Sequence, residues 1–563
     1  MTPFDAIFAR NGGADLDPLA DVLARPRVVY PRAVGAGTAL AGKIMRRRVL
    51  RAPTPDGLRP VQAQGLAAAE DMASLGCGPD GPYGIVAMVG CGHGKTLVAQ
   101  LLPAVFGAVR PAVLMPAALI PQFKAEARRF GEKWRTSVEG VASYEGLSAP
   151  QNRFALDEYR PDLLIFDEAH LLGNPQSARW KRVARYLSEN AQTARVCVLS
   201  GTLTTRSIYD MAHLFYAALR DLSPIPSDNT LDCWAACVDP GGEPSPIDVD
   251  YMRRLPATFG FDTSKTGFRR GFQALLSASR GVVVSSGTSA DVSLRLRLWG
   301  GPPMSDPMMQ ALKNLEERWI LPDGMELVDA LDTDRACRQL ATGHYTRWVA
   351  GTGHPEWFLR RKAWSTTVRL YLNYFGFESP ALVERHVRDI GCGSEHAALT
   401  AWRDVRRHEP DRETVWVDGG QQYVRDCVDA YLSAFGARPD ALIWYRSRAV
   451  ADVLLRAGWT VHGAASLPPH GGHAAVAQRV HGKGWNGQAY CRQLVLEPMS
   501  GGADWEQLLA RTHRPGQTRD VECTVMIATS HAEKSWHKAR DGAQYVQDTT
   551  GEPQRLLFAD REG

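Results

Sequence analysis

Lys95 and Thr96 close a glycine-rich stretch, Val89-Gly-Cys-Gly-His-Gly-Lys-Thr96, which follows the apolar run at 84–89 and opens a helical pattern. A glycine-rich turn between a buried strand and a helix N-terminus is the context that a phosphate cradle requires. Backbone N–H groups from Gly92 through Gly94 to Thr96 would surround phosphate oxygens, helped by the positive end of the helix. Lys95 would neutralise the terminal phosphates, and the Thr96 hydroxyl would hold Mg2+. A strict loop of this kind begins on glycine, where this chain has Val89. Taken alone, the stretch is equally compatible with a structural turn.

A second group of chemical residues lies in Leu-Leu-Ile-Phe-Asp-Glu-Ala-His, residues 163–170. An acidic pair at the carboxyl end of a buried strand is where open α/β sheets place their chemistry. Asp167 would orient Mg2+ through water, and Glu168 would polarise an attacking water. For the acidic pair alone, a strand end with charges at the start of a helix is the plainer reading. A third group, Gln507, Arg511 and Arg514, is spaced i, i+4 and i+7, which is one face of a helix. Such a stripe on an isolated helix is ordinarily solvated. In a two-lobed nucleotide hydrolase the same face supplies arginine fingers, worth about 10³–10⁵ in rate.

The elements that must position these residues are legible as alternating short strands and helices. Between 58 and 215 the strand candidates are 84–89, 112–115, 163–166 and 196–199, each apolar throughout. Such runs separated by helices imply a parallel sheet covered on both faces. After 416 the alternation resumes, with strands in "ALIWY", "WTVHGA", "RQLVLE" and "ECTVMIA". The stretch between reads as loops and long helices. The expected organisation is an N-terminal basic extension (1–50), a first α/β lobe (51–225), a mainly helical insert (226–415) and a second α/β lobe (416–563). No repeat of fixed period and no low-complexity tail is visible.

Composition sets the outer bounds. The chain has 563 residues, too many for one core, with 44% hydrophobic and 22% charged residues, as in ordinary globular proteins. A net charge of +4 permits a local basic groove but is no evidence for one. The ten cysteines are scattered, and Cys233 and Cys237 stand without a second ligand pair, which argues against zinc. Thiols of this kind, no basic-then-apolar leader, and no apolar run near the roughly 20 residues of a membrane span lead us to expect a cytoplasmic protein with no membrane partner.

The order of these motifs resembles that of superfamily 2 helicases, and within them the Swi/Snf-type (DEAH-box) ATPases, especially compact phage-encoded versions. "LRPVQAQG" resembles the upstream motif whose glutamine, here Gln62, reads adenine. "VLMPAALIPQFKAEARRF" resembles the segment that touches the DNA backbone, here through Pro116, Gln122 and Lys124, with Phe123 where tryptophan is common. "VASYEGL" resembles the next DNA-contacting stretch, centred on Ser143 and Tyr144. His170 of the DEAH sequence and "LSGTLTTRS", through Ser200, Gly201 and Thr202, resemble the parts that couple ATP to DNA. In the second lobe "HGKGWNGQ" resembles a GxGLNLQ motif, with Lys483 and Asn486 toward DNA and with Trp485 and Gly487 in place of leucines. "WEQLLARTHRPGQ" carries the QxxxRxHRxGQ pattern of the same family.

The resemblance implies two RecA-like lobes of the P-loop NTPase type, with ATP and Mg2+ as cofactors. It implies a DNA-stimulated ATPase that translocates on DNA, with duplex DNA the expected track and protein partners in replication, recombination or defence. A strand-separating or RNA-directed helicase is one alternative reading. An ATP-gated nucleic-acid-binding scaffold subunit without turnover is another. Two basic stretches, 43–51 and Arg360-Arg-Lys362, are candidate polyanion contacts or plain solvated faces. Trp357 and Trp364, seven apart, read as core residues. The second lobe is short between "WTVHGAA" and "RVHGKGW".

Overall fold

The computed structural model describes residues 17–562 apart from 36, 47–56, 138, 205, 228, 286, 288–289, 326, 328–329, 350, 376, 378–379, 436–439, 464–465, 467, 469–470 and 483–484. Two compact units divide the chain. The first is Met1–Gly287 with Ser365–Leu399 and Gln544–Pro553; the second is Thr288–Trp364 with Thr400–Ala543 and Gln554–Gly563.

In the first unit six strands form one parallel sheet: β1 Ile85–Met88, β2 Pro111–Met115, β3 Val141–Ser143, β4 Leu163–Asp167, β5 Arg195–Ser200 and β6 Val282–Val284. They pair in the order β3-β2-β4-β5-β1-β6. Leu164, Ile165 and Phe166 of β4 have no exposed surface, as befits a strand covered on both faces. Burying each contributes about 1.5–3 kcal/mol, which holds the acidic pair at the end of β4 in place. The covering helices include α1 Pro60–Leu75, α2 Lys95–Phe106, α3 Ile120–Phe130, α4 Tyr144–Ser148 and α5 Lys265–Ala278. Strand β5 lies between β1 and β4, so the carboxyl ends of all three strands share one sheet edge.

The second unit holds seven parallel strands: β7 Leu294–Trp299, β8 Ala441–Tyr445, β9 Thr460–His462, β10 Ala474–Ala477, β11 Arg492–Val495, β12 Val521–Met526 and β13 Asp560–Glu562. Their order is β9-β10-β8-β11-β12-β7-β13. An antiparallel ribbon, His344–Trp348 with Arg412–Trp416, accompanies this sheet. Helix α6, Gly502–Thr512, carries Gln507 and Arg511.

The chain is therefore α/β with two parallel sheets, as expected, but its boundaries run differently. The stretch 226–415 is not one helical insert. Its first part belongs to the first unit and contributes β6, and β7 enters the interior of the second sheet. Both strands are hard to see locally: β6 is three residues long, and β7 reads Leu-Arg-Leu-Arg-Leu-Trp, with Leu294 and Leu296 buried and Arg295 outward. Trp357 and Trp364 are buried, as their spacing suggests. No helix among the described residues is long and apolar enough to cross a membrane.

Candidate functional site

The glycine-rich stretch turns directly from β1 into α2, whose first residue is Lys95. Gly94, at φ +81°, caps the helix in the left-handed region, and a Cβ there would stand 2.3 Å from Gln62 Nε2. Only glycine fits both the backbone and the neighbour. Arg59 and Gln62 brace the loop from the start of α1: the Arg59 guanidinium donates to the Gly92 carbonyl, and Gln62 Nε2 donates to the Gly94 carbonyl at 2.9 Å. Gln62 Oε1 also accepts from the Arg59 N–H at 2.8 Å. Both ends of the Gln62 amide are thus engaged with the protein, and the side chain is buried. Thr96 is partly exposed on the first turn of α2.

Lys95 is buried at 8% exposure, with Nζ 2.9 Å from the Val89 carbonyl and 3.5 Å from Glu168 Oε1. Burial by itself would lower its pKa, but Glu168, with Cys91, Asp167 and Glu552, holds the ammonium above its ordinary value. The lysine of the loop and the acidic pair of β4 therefore meet at one sheet edge. Asp167 is buried, and its carboxyl is pushed above the usual carboxylate range, by burial first and by Glu168 next, against the pull of Lys95. Glu168 sits at φ +53°, ψ +49°, a left-handed conformation that costs a non-glycine residue of order 1 kcal/mol or more. That bend turns its carboxylate toward Lys95 on one side and toward His170 Nδ1, 3.4 Å away, on the other. The same His170 nitrogen is 3.2 Å from Ser200 Oγ, which accepts from the Thr202 N–H at 3.2 Å. A continuous polar path therefore runs from the acidic pair to the end of β5.

The residues expected to touch nucleic acid separate into two groups. Gln122 and Lys124 stand exposed on α3, with Arg128 on the next turn. Pro116 is partly exposed before the short 3-10 turn at Ala117–Leu119. Ser143 caps α4 by accepting from the Gly146 N–H at 2.8 Å. Tyr144 corrects the expectation: it has no exposed surface, and its hydroxyl donates to the Asp167 carbonyl at 2.9 Å. It supports the acidic pair from below. Phe123 is likewise core.

In the second unit, Gln507 and Arg511 lie on α6, but Arg514 does not. The helix ends at Thr512, two residues short of Arg514. The reason is local: Arg514 precedes Pro515, and a residue before proline is disfavoured in the helical region. The Arg511 guanidinium is committed to backbone carbonyls, at 3.0 Å from Gly482, 3.1 Å from Gln507 and 3.2 Å from Trp485. It braces the loop that resembles GxGLNLQ. Gln507 is buried, and its Oε1 has no hydrogen-bond partner among the described residues. Asn486 is exposed; Lys483 lies outside the described residues. The two departures in this loop explain one another. Trp485 packs into the core beside Trp444 and Tyr490, and a Cβ on Gly487 would meet the Trp485 ring at 2.8 Å.

Several supporting residues escaped the sequence reading because their partners are distant in the chain. Ser285 Oγ accepts from the Gly90 N–H at 3.1 Å, Glu552 lies against Gly90 and Gly201, and Arg555 pairs with Glu506 of α6. Among the described residues no group of three or more His, Cys, Asp or Glu side chains is arranged to hold a metal. No protein-family model matches the chain, and no curated protein matches it.

Proposed function

We propose that the chain is an ATP- and Mg2+-dependent motor that translocates on DNA, with duplex DNA as its track. The observation that carries this reading is the approach of Lys95 Nζ to Glu168 Oε1, 3.5 Å apart at the carboxyl edge of a parallel sheet and beside a helix N-terminus. A phosphate-binding lysine and a carboxylate able to activate water are thereby within reach of one small group.

The residues present fit the expected ligands. The backbone N–H groups at the start of α2 and the Lys95 ammonium would bind the phosphates of ATP. Mg2+ is commonly held through one or two carboxylates together with substrate phosphates and water, so no dedicated cluster is required. Thr96 and Asp167 would hold it here, where it would neutralise charge on the phosphate oxygens. Glu168 would accept the proton of the attacking water, its position set by the bend at that residue and by Lys95. His170, Ser200 and Thr202 would carry the state of the acidic pair to the end of β5. Lys124, with Gln122 and Arg128 on the same exposed helix, would contact the nucleic-acid backbone. Arg514 enters this reading as a finger through its motif alone.

The test is hydrolysis of ATP measured side by side with duplex DNA, single-stranded DNA, RNA and no polymer. Stimulation by duplex, falling steeply with salt, is expected, because each phosphate contact contributes a slope of about −0.9 in log K against log salt. A stronger response to RNA would favour the RNA-directed alternative. Wild-type hydrolysis no faster than that of Lys95→Ala under every condition would overturn the motor.

A further inference from the structure

Glu552 lies far in sequence from the glycine-rich stretch, yet its carboxylate is packed against it. The residue is buried at 2% exposure. A Cβ built on Gly90 would lie 2.7 Å from Glu552 Oε1, and one built on Gly201 would lie 3.1 Å from the same atom. The carboxylate therefore takes the space that a side chain at position 90 would need, and lies close against Gly201. That space adjoins the Val89 carbonyl, to which Lys95 Nζ is bonded, and Glu552 is one of the charges acting on Lys95.

The placement is built in. Tyr545 is buried in the first unit's core, with its hydroxyl 2.9 Å from Asp239 Oδ1 and 3.4 Å from Thr204 Oγ1. Gly551, at φ +78°, passes so close to Gln273 that a Cβ would stand 2.5 Å from its Nε2. The Glu552 N–H donates to Thr550 Oγ1 at 3.3 Å. These anchors fix the backbone that leads into Glu552.

We infer that Glu552 is an internal competitor for the phosphate cradle, a carboxylate that occupies the glycine gap at the foot of the loop until nucleotide phosphate displaces it. The inference rests on the reading of residues 89–96 as a phosphate site. A buried carboxylate against Gly90 and a phosphate held by the same short loop repel each other, so Glu552 lowers nucleotide affinity and makes the bound state easier to leave. Its effect is confined to affinity: the residue is not needed to activate water.

Equilibrium titration with a non-hydrolysable ATP analogue tests this, using the full chain as wild type, Lys95→Ala, Glu552→Gln, Glu552→Ala and Asp548→Asn. Glu552→Gln keeps the shape and removes the charge, and should bind about tenfold tighter than wild type. Asp548→Asn removes a charge from the same segment away from the cradle and should bind as wild type does. Glu552→Ala should shift affinity in the same direction, which guards against a folding defect in the first variant. Should wild type bind while Glu552→Gln binds equally or more weakly, the competitor is refuted and the nucleotide site stands. If wild type binds no better than Lys95→Ala, the site itself is refuted and the competitor falls with it.

Discussion

The Tyr144 hydroxyl donates to the Asp167 carbonyl oxygen at 2.9 Å, beneath the acidic pair and out of reach of solvent. The carbonyl belongs to the peptide that joins Asp167 to Glu168, so the bond fixes the plane from which the left-handed bend departs. Tyr144→Phe keeps the ring packing and deletes that bond. It should cost about 1 kcal/mol of stability. On the proposed function, turnover of ATP should fall while nucleotide affinity holds, because Lys95 and Thr96, the residues proposed to bind phosphate, are on α2. Urea unfolding and a kcat-against-KM comparison check both halves; a change in KM alone would contradict the positioning role.

Glu168→Gln should retain nucleotide binding and lose hydrolysis by about 10²–10⁴-fold, the usual loss when a general base is removed. The substitution also weakens the hold on Lys95, whose raised pKa depends chiefly on Glu168 among its charged neighbours. Single-turnover hydrolysis with saturating duplex DNA measures the rate. A rate near that of wild type would show that the proton goes elsewhere.

The two arginines of the last motif should separate cleanly. Arg511 serves three backbone carbonyls, so Arg511→Ala should destabilise the second unit by about 1–3 kcal/mol. Arg514 lies past the helix end and is half-buried, and Arg514→Ala leaves the three bonds of Arg511 in place, so it should cost less stability than Arg511→Ala. If it is the finger, that variant should instead lower DNA-stimulated kcat by a factor of about 10³ or more. Thermal unfolding and ATPase rates on the two variants decide the division.

Glu497, just beyond β11, predicts a pH effect on stability. It is buried, and burial pushes its carboxyl up to about 7, against the pull of the Arg446 N–H at 2.8 Å and the Arg446 charge. A carboxyl whose folded pKa exceeds its unfolded value favours the fold while protonated. Its contribution is therefore complete below the unfolded pKa, about 4.3, and is lost as pH rises through about 7. Glu497→Gln removes this dependence. The difference in Tm between variant and wild type should shift in the variant's favour between pH 5 and pH 8. A difference that stays constant over that interval would contradict the assignment.

What could be read from the sequence was whatever short-range pattern encodes. Apolar runs marked β1, β2, β4, β5 and the main strands of the second sheet, because a strand buried on both faces is apolar at most of its positions. The glycine-rich turn, the Asp167–Glu168 pair and the Gln507–Arg511 face were legible because residues within a few positions set their geometry. Helical spacing alone misplaced Arg514, although the proline that ends the helix is itself a local signal, and the motif position Tyr144, expected at the surface, is core. Only the tertiary structure decided that Lys95 faces Glu168, that β6 and β7 join different sheets, that Trp485 requires Gly487, and that Glu552 and Arg555 return to motifs far upstream. Those outcomes depend on sheet order and on which distant segment fills a gap left by glycines. No periodicity within one element carries that information, because the partners meet only once each sheet has formed.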